Sequence, residues 1–530
     1  MSLTRNTFRH ASIYTVAAVL GKLISFFMLP FYAHILQDIG YGVIGMIETS
    51  TALLMSLMAY GAQGGIIRIY HERPPEAKAR VVSTGIILVS GASLGLCLLV
   101  AIFARPLSGW MLESSDQAPL LLMALCSFVL ELTGVAAASI LLIRKRSLAF
   151  SGIGLVRLFL GLGTSIWFVL VLDWGLVGYF LSALVTTLMS TTCFFVIAVR
   201  TCGLKYDREI AHDLVTFLLP LVPGGLASFV SRQVERFLVR FQIGLESVGV
   251  LEMGYKFPVL IGLLISQPFM RSWNTTRTEI ADEPGAPQRI GRVFTYFLLL
   301  MTFGGLLIAV NIRTVLELLT PESFWPAYRI ARVEVVTMIL QGCYMHVGFG
   351  LYYAKETKTM ALIRGVVSVV KVGLSYLFIH LWGLSGAAYS AVVAQTCVTT
   401  WGGIVSQRRY AIDLEWRKIA LITTAAATYF LVLVNVDLSG LGVHVWLRDS
   451  VVPALVDGVA ATPLGGWKNG KVLIMLTERG SLISDLILQT LFCATYLIVF
   501  PIIHRESRDK VMRLYTYDLN VDDSSGSSCA

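Results

Sequence analysis

Arginine recurs at every fourth position of the stretch 231–240, as Arg232, Arg236 and Arg240. A helix advances about 100° per residue, so the three share one stripe, with Glu235 beside it. The stripe lies inside the apolar segment Leu214–Phe241, which is long enough to cross a bilayer. One arginine at the centre of a membrane helix costs roughly 2.5–3.5 kcal/mol on insertion scales. Three on one face are therefore expected against a water-filled cavity between helices rather than against lipid. The chemistry on offer is anion binding, because a guanidinium presents a planar fork of donors that suits a phosphate or pyrophosphate. Two structural readings compete. Arg240, near the segment's end, is placed to snorkel to the interface, and Glu235 is placed to neutralise an arginine.

Other ionisable residues fall deep in apolar segments and are functional candidates by default. Lys22, Glu131 and Lys371 lie nearest the centres of their segments, and Arg157 sits in the cytoplasmic third of its own. Basic residues outnumber acids among these positions, which again suits an anionic ligand. Glu131 and Glu235 are the candidates for holding a coupling proton or cation in a low-dielectric setting. Glu252 and Lys256 stand four apart and are expected to bridge each other. Glu48 and Glu334 fall toward segment ends and read as interfacial, and His34 and His346 as packing residues. No cysteine or histidine cluster has metal-ligand spacing, no nucleophile elbow is present, and no cofactor is expected. Gly465–Val472 imitates a phosphate-binding loop but ends in Val where Ser or Thr would hold magnesium. With no nucleotide-binding domain, energy must come from gradients or the membrane potential.

The elements that must position these groups follow from composition. Of 530 residues, 56% are hydrophobic and 14% charged, and mean hydropathy is +0.73. Soluble domains carry about 25% charged residues. Repeated apolar stretches of about 20 residues indicate an all-α, polytopic membrane protein, and the alternation of a β-barrel is absent. A net charge of +9 would suggest nucleic acid in a soluble chain, but loop placement explains it here and no nucleic-acid partner is expected. The eight cysteines show no paired spacing. The first apolar segment is too long for a cleavable signal.

Fourteen spans are expected, at about 11–36, 43–67, 81–104, 118–143, 149–172, 176–199, 213–242, 247–270, 293–312, 331–354, 360–380, 384–406, 418–435 and 483–503. With the N-terminus inside, 27 of the 42 Lys and Arg residues fall in inner segments, 7 in outer segments and 8 within spans. One missed span would invert that bias, so the positive-inside rule supports fourteen spans with both termini cytoplasmic.

The chain also repeats itself. Trp174-Gly175-Leu176-Val177-Gly178 recurs as Trp382-Gly383-Leu384-Ser385-Gly386, and nine of the nineteen positions from Trp174 to Thr192 recur identically 208 residues later. Tyr41-Gly42-Val43 aligns with Val248-Gly249-Val250 at an offset of 207. This divides the chain into two six-helix lobes, 1–205 and 206–410. Two further helices occupy 411–510, with an external insertion at about 436–482, and a disordered tail occupies 511–530. Halves with an even number of spans are related by an axis along the membrane normal. Leu219-Pro220-Leu221-Val222-Pro223-Gly224-Gly225 is expected to bend the helix that carries the arginine stripe.

Several of these residues carry a resemblance. The opening Ala11–Thr15 and Lys22–Phe26, then Leu29-Pro30-Phe31-Tyr32 and Tyr41-Gly42, is similar to polysaccharide flippases for O-antigen and exopolysaccharide. These belong to the multidrug/oligosaccharidyl-lipid/polysaccharide exporter superfamily. Leu219-Pro220 followed by an acid–Arg pair, here Glu235-Arg236 where Asp-Arg is usual, resembles the same family, as do the two Trp-Gly-Leu-x-Gly motifs. The resemblance implies alternating access by two lobes in the bacterial inner membrane. It also implies a cationic central cavity that holds the pyrophosphate of an undecaprenyl-linked oligosaccharide. It assigns that role to Lys22, Arg232 and Arg236, with Arg157 and Lys371 as further members. A glycan polymerase and a chain-length regulator are the implied protein partners. The external insertion departs from the family pattern. Competing readings are a multidrug antiporter, expected to have an acidic and aromatic cavity, a peptidoglycan-precursor flippase with the same chemistry, and a membrane glycosyltransferase. The last would need paired acids on an outer loop, and Asp449, Asp457 and Glu478 form no recognisable pair.

Overall fold

A computed structural model describes residues 28–58, 61–435 and 480–503. Every expected span from 43–67 onward is met by a helix. In chain order these are α1 (Leu29–Met58), α2 (Ala62–Glu72), α3 (Pro75–Ile102), α4 (Ala104–Leu112), α5 (Ala118–Ile143), α6 (Ser147–Ser165), α7 (Gly175–Cys202), α8 (Arg208–Leu218), α9 (Val222–Gln242), α10 (Leu245–Lys256) and α11 (Gln267–Glu279). There follow α12 (Ala286–Leu319), α13 (Ala327–Val347), α14 (Thr357–Trp382), α15 (Leu384–Arg409), α16 (Trp416–Asn435) and α17 (Gly480–Ile503). No strand occurs among the described residues.

Ten helical stretches among the described residues are long and apolar enough to cross a membrane. α13, α15 and α17 are not among the ten. α13 and α15 carry polar residues such as Arg329, Arg332 and Glu334 in the former and Gln395 and Gln407 in the latter. Most of the expected first span, including Lys22, lies outside the described residues. So do nearly all of the external insertion, the Gly465–Val472 loop, and the C-terminal tail.

Contacts divide the chain into two compact units, Met1–Ala281 with Leu319–Ile412, and Asp282–Leu318 with Asp413–Ala530. The first unit holds α1–α11 and α13–α15, and therefore most of both expected lobes. Within it, α2, α3, α5, α7 and α8 bury Ile66, Val81, Val82, Leu132, Ala136, Ala137 and Leu214. Asp207 caps α8 by accepting from the backbone N–H groups of Glu209 (3.1 Å) and Ile210 (3.4 Å). The outer helix faces stay apolar and exposed, as Leu98, Leu99, Phe159, Trp167, Val369 and Tyr376 show. That is the pattern of a bundle solvated by lipid rather than water.

The internal repeat is realised as matched contacts. Gly175 and Gly383 both take positive φ, 51° and 58°, and open α7 and α15. A Cβ at Gly178 would lie 2.9 Å from the Phe168 carbonyl, and one at Gly386 would overlap the Phe378 carbonyl, so both motif glycines admit the preceding helix. Ser182 Oγ lies 2.7 Å from Thr164 Oγ1, and its counterpart Ser390 Oγ lies 2.7 Å from Ser375 Oγ. Thr191 donates to the Leu130 carbonyl at 2.8 Å, and Thr399 to the Leu340 carbonyl at 3.1 Å.

The second repeat motif makes a reciprocal crossing. A Cβ at Gly42 would overlap the backbone carbonyl of Leu245, and a Cβ at Gly249 would overlap that of Asp38. These are equivalent pairs under the 207-residue offset. Each crossing helix is entered through a left-handed residue, Gln37 at φ 55°, ψ −174° inside α1 and Gly244 at φ 143° before α10.

In the second unit, α12 packs with α16 and α17 around Val310, Leu433 and Cys493. Tyr496 Oη donates to the Ile422 carbonyl at 3.2 Å. Glu415, just before α16, accepts from Lys418 Nζ at 2.7 Å and from Thr295 Oγ1 at 2.8 Å. Burial alone would lift this carboxyl, but the Lys418 ammonium and the Thr295 hydroxyl more than offset it and hold it below the ordinary value. A depressed carboxyl contributes stability above its unfolded value of about 4.3, lost as pH falls through the folded value. Acidification below about pH 4 should therefore raise hydrogen exchange in the first turn of α16. Thr295→Val should shrink that pH dependence.

Candidate functional site

The arginine stripe forms on α9, where a change of helix type marks the proline-rich stretch before it. α8 and α9 run on through one tightened 3-10 turn at Leu219–Leu221, where Pro220 removes a backbone donor. The three arginines then meet three different environments. Arg232 is exposed and folds back onto its own helix, donating to Ser228 Oγ at 2.6 Å. Arg236 is 8% exposed, forms an ion pair with Glu252, and lies 5.1 Å from the Tyr255 ring centroid. Arg240, near the end of α9, pairs with Glu113 at 3.0 Å and donates to the Met111 carbonyl at 2.7 Å.

Two expected pairings are corrected. Glu252 pairs with Arg236 rather than with Lys256, because α9 and α10 pack so that the guanidinium reaches α10 from the side. Glu235 neutralises neither Arg232 nor Arg236. It pairs with Lys371 of α14 at 2.7 Å and accepts a hydrogen bond from Tyr255 Oη at 2.6 Å. Lys371 Nζ also donates to the Ser231 carbonyl at 2.5 Å. Arg157 and Glu131 meet each other, through bonds of 2.7 and 3.1 Å, and Thr187 Oγ1 takes a third guanidinium bond at 3.1 Å.

The first unit contains a cavity of about 550 Å³ between α1, α6, α7 and α10. Its wall carries Arg157 and Lys256, Glu48 and Glu252, the hydroxyls of Ser165, Ser182 and Thr186, and Tyr32, Tyr41 and Tyr179. Lys256 Nζ sits 4.1 Å from the Tyr41 ring centroid and has no ion pair among the described residues. Tyr179 Oη donates to Glu48 Oε1 at 2.8 Å. Two bases face two acids, so the described wall is charge-balanced rather than cationic.

Of the residues singled out from sequence, Arg157 lines this cavity and Glu131 anchors it. Arg236 stands behind the wall through Glu252, while Glu235 and Lys371 form a separate buried pair. Glu48 and Lys256 were missed as cavity residues. A signal for them exists, since Tyr41, Gly45 and Glu48 share one helix face at spacings of four and three, and Glu252 and Lys256 share another. Nothing in the sequence alone says that these two faces meet.

The comparisons agree with this architecture. The lipid II flippase MurJ, in an inward closed conformation, superposes with a TM-score of 0.68 at 15% identity, covering 93% of this chain and 99% of that chain. A multidrug resistance MATE family transporter in an inward-facing conformation gives a TM-score of 0.55 at 16% identity, over 75% and 95% of the two chains. A mutant form of the Vibrio cholerae MATE transporter VcmN gives 0.51 at 14% identity, over 77% and 97%. No curated protein matches the sequence significantly. A family profile described as "Polysaccharide biosynthesis protein" matches residues 7–273, half of the sequence. With that match over half of the sequence, the chain belongs to the polysaccharide biosynthesis protein family, and its helical fold is of the MurJ and MATE type.

Proposed function

We propose that the chain is a flippase that moves an anionic, lipid-linked oligosaccharide across the bacterial inner membrane by alternating access, with undecaprenyl pyrophosphate as the lipid carrier. The observation that carries this reading is the cavity of about 550 Å³, within the roughly 300–1,000 Å³ of small-molecule sites. Its wall suits a sugar. Tyrosine rings offer apolar faces with polar tips, carboxylates and hydroxyls accept and donate to sugar hydroxyls, and Arg157 and Lys256 supply positive charge for an anionic group. Lys22, Arg232, Arg236 and Lys371 remain proposed contacts for the pyrophosphate, with Arg157 shared between the two tasks. Both termini are proposed to be cytoplasmic. A multidrug antiporter is the second reading, favoured by Glu48 and Glu252 on the same wall.

Reconstituted vesicles decide between them. Wild-type protein is expected to translocate a lipid-linked oligosaccharide, and Arg157→Ala is expected to lower the rate at least tenfold, about 1.4 kcal/mol of lost interaction. Movement of a cationic dye with no movement of lipid-linked glycan would overturn the flippase reading.

A further inference from the structure

The two halves of the repeat differ where α6 meets the cavity. Lys145 and Lys355 take matching left-handed turns, φ 54° and 58°, just before α6 and α14. Ser165 Oγ lies 3.1 Å from Ser182 Oγ, as Ser375 Oγ lies 2.7 Å from Ser390 Oγ. Lys145 and Ser165 thus match their copies at an offset of 210, against 208 from Trp174 onward. The two extra residues of the first half are absorbed in the wider π-helical turns of Ile166–Val171. In this register Gly154 and Gly161 of α6 stand where α14 carries Arg364 and Lys371.

Gly154, Arg157, Gly161 and Ser165 follow at spacings of three, four and four, and all four line the cavity, so they share one face of α6. A Cβ at Gly154 would meet no atom within 4 Å, and one at Gly161 would touch only Thr186 Cγ2, at 3.5 Å. Packing therefore demands glycine at neither place, and glycine weakens a helix interior relative to alanine. α6 has two more open glycines, Gly152 and Gly163, but these lie off the cavity face. At the matching place in the second half, the Lys371 side chain is buried and ends on Glu235. The first half thus leaves open, beside Arg157, the volume that the second half fills with a long side chain.

Glu48 of α1 lines the same space. Tyr179 Oη donates to its Oε1 at 2.8 Å, and Tyr32 packs edge-on to Tyr179 at 5.6 Å. Oε2 of Glu48 has no hydrogen-bond or ion-pair partner among the described residues. An unclaimed carboxylate oxygen, tyrosine rings and a bare helix face together suit a pyranose. Its hydroxyls donate to the carboxylate, and its C–H faces lie on the apolar surfaces.

We propose that Gly154 and Gly161 are the floor of a seat for one uncharged pyranose ring of the cargo. Glu48 reads the ring by accepting its hydroxyls, and the lack of side chains at 154 and 161 sets the bulk of ring admitted. The negative charge of Glu48 disfavours an acidic sugar here, so the anionic group of the cargo lies elsewhere on the wall. The seat rests on the flippase reading and specifies which part of the cargo α6 holds.

The test uses the full chain in lipid vesicles with two probes. One is bare undecaprenyl pyrophosphate, and the other is the lipid-linked oligosaccharide that accumulates in cells deleted for this chain. Gly161→Leu is expected to weaken binding of the oligosaccharide probe at least tenfold and to slow its translocation as much, while binding of the bare carrier changes less than twofold. Gly154→Leu should act in the same direction, and Glu48→Gln should weaken oligosaccharide binding several-fold with the bare carrier unaffected. The double variant Gly154→Ala with Gly161→Ala, which fits at ordinary contact distance, should melt as wild type and lose oligosaccharide binding a few-fold, so the seat is tested even where leucine disturbs the fold. Oligosaccharide binding equal to wild type in these glycine variants overturns the seat. An equal loss for both probes in a variant that melts as wild type also overturns it, because the pyrophosphate then lies at these glycines. Wild-type protein that binds neither probe overturns the flippase reading itself.

Discussion

Replacing Gly249 by Ala, or Gly42 by Ala, is expected to force α1 and α10 apart. The added methyl in each case lands on backbone, on the Asp38 carbonyl for Gly249 and on the Leu245 carbonyl for Gly42. A flexible side chain could swing away, but a helix backbone cannot yield without moving the whole element. The crossing lies one helical turn from Gly45 and Glu252, both in the cavity wall. Parting the helices should therefore open that end of the cavity. The expected result is a shift of the resting state, read as a large increase in labelling of a cysteine introduced at Ile44 by a membrane-impermeant maleimide. Because the two contacts are equivalent, either substitution should suffice, and the pair should be less than additive. Unchanged labelling in both variants would falsify the idea that this contact holds the cavity shut.

The second large effect concerns Lys371. Lys371→Met removes the ammonium and leaves Glu235 buried without its cation. Breaking a buried pair from one side typically destabilises by about 3–5 kcal/mol, because a charge is left uncompensated. The double variant Lys371→Met with Glu235→Gln removes both charges and should recover most of that loss. Thermal unfolding in detergent at constant lipid content gives the comparison. If the single and double variants melt together, the Lys371–Glu235 contact is not what holds α9 to α14. The same argument explains why these charges are tolerated in an apolar bundle. Arg236–Glu252, Lys371–Glu235 and Arg157–Glu131 are ion pairs between different helices, so each charge is met from a neighbouring element rather than from its own.

That last point marks the limit of what could be read before the structure. Helix positions follow from runs of apolar residues, and the helices meet every expected span from 43–67 onward, since length and hydropathy are local properties. The repeat was also legible, because Trp174–Thr192 and its copy carry the contact residues themselves: Gly178, Ser182 and Thr191 make the same contacts as Gly386, Ser390 and Thr399. Pairing was not. Glu235 sits beside Arg236 in sequence and on the helix rim, yet it turns to Lys371, far along the chain, while Arg236 turns to Glu252. Glu48 and Glu334 read as interfacial from their place near span ends. Only packing shows that one faces the cavity and the other is buried on α13. Periodicity fixes which residues share a face but not which face of another helix comes to meet it.

Gln37 and Gly244 carry one further consequence. They occupy equivalent places and both take positive φ with extended ψ, but glycine adopts that backbone region freely, whereas a residue with a side chain is strained there by about 1–3 kcal/mol. Gln37 offsets part of this by donating its Nε2 to the His34 carbonyl at 2.7 Å. Two halves that match in trace thus differ in compliance. When the bundle is loaded, the elbow at Gln37 should yield before the one at Gly244, so a molecule built from near-copies still has a soft side and a stiff side.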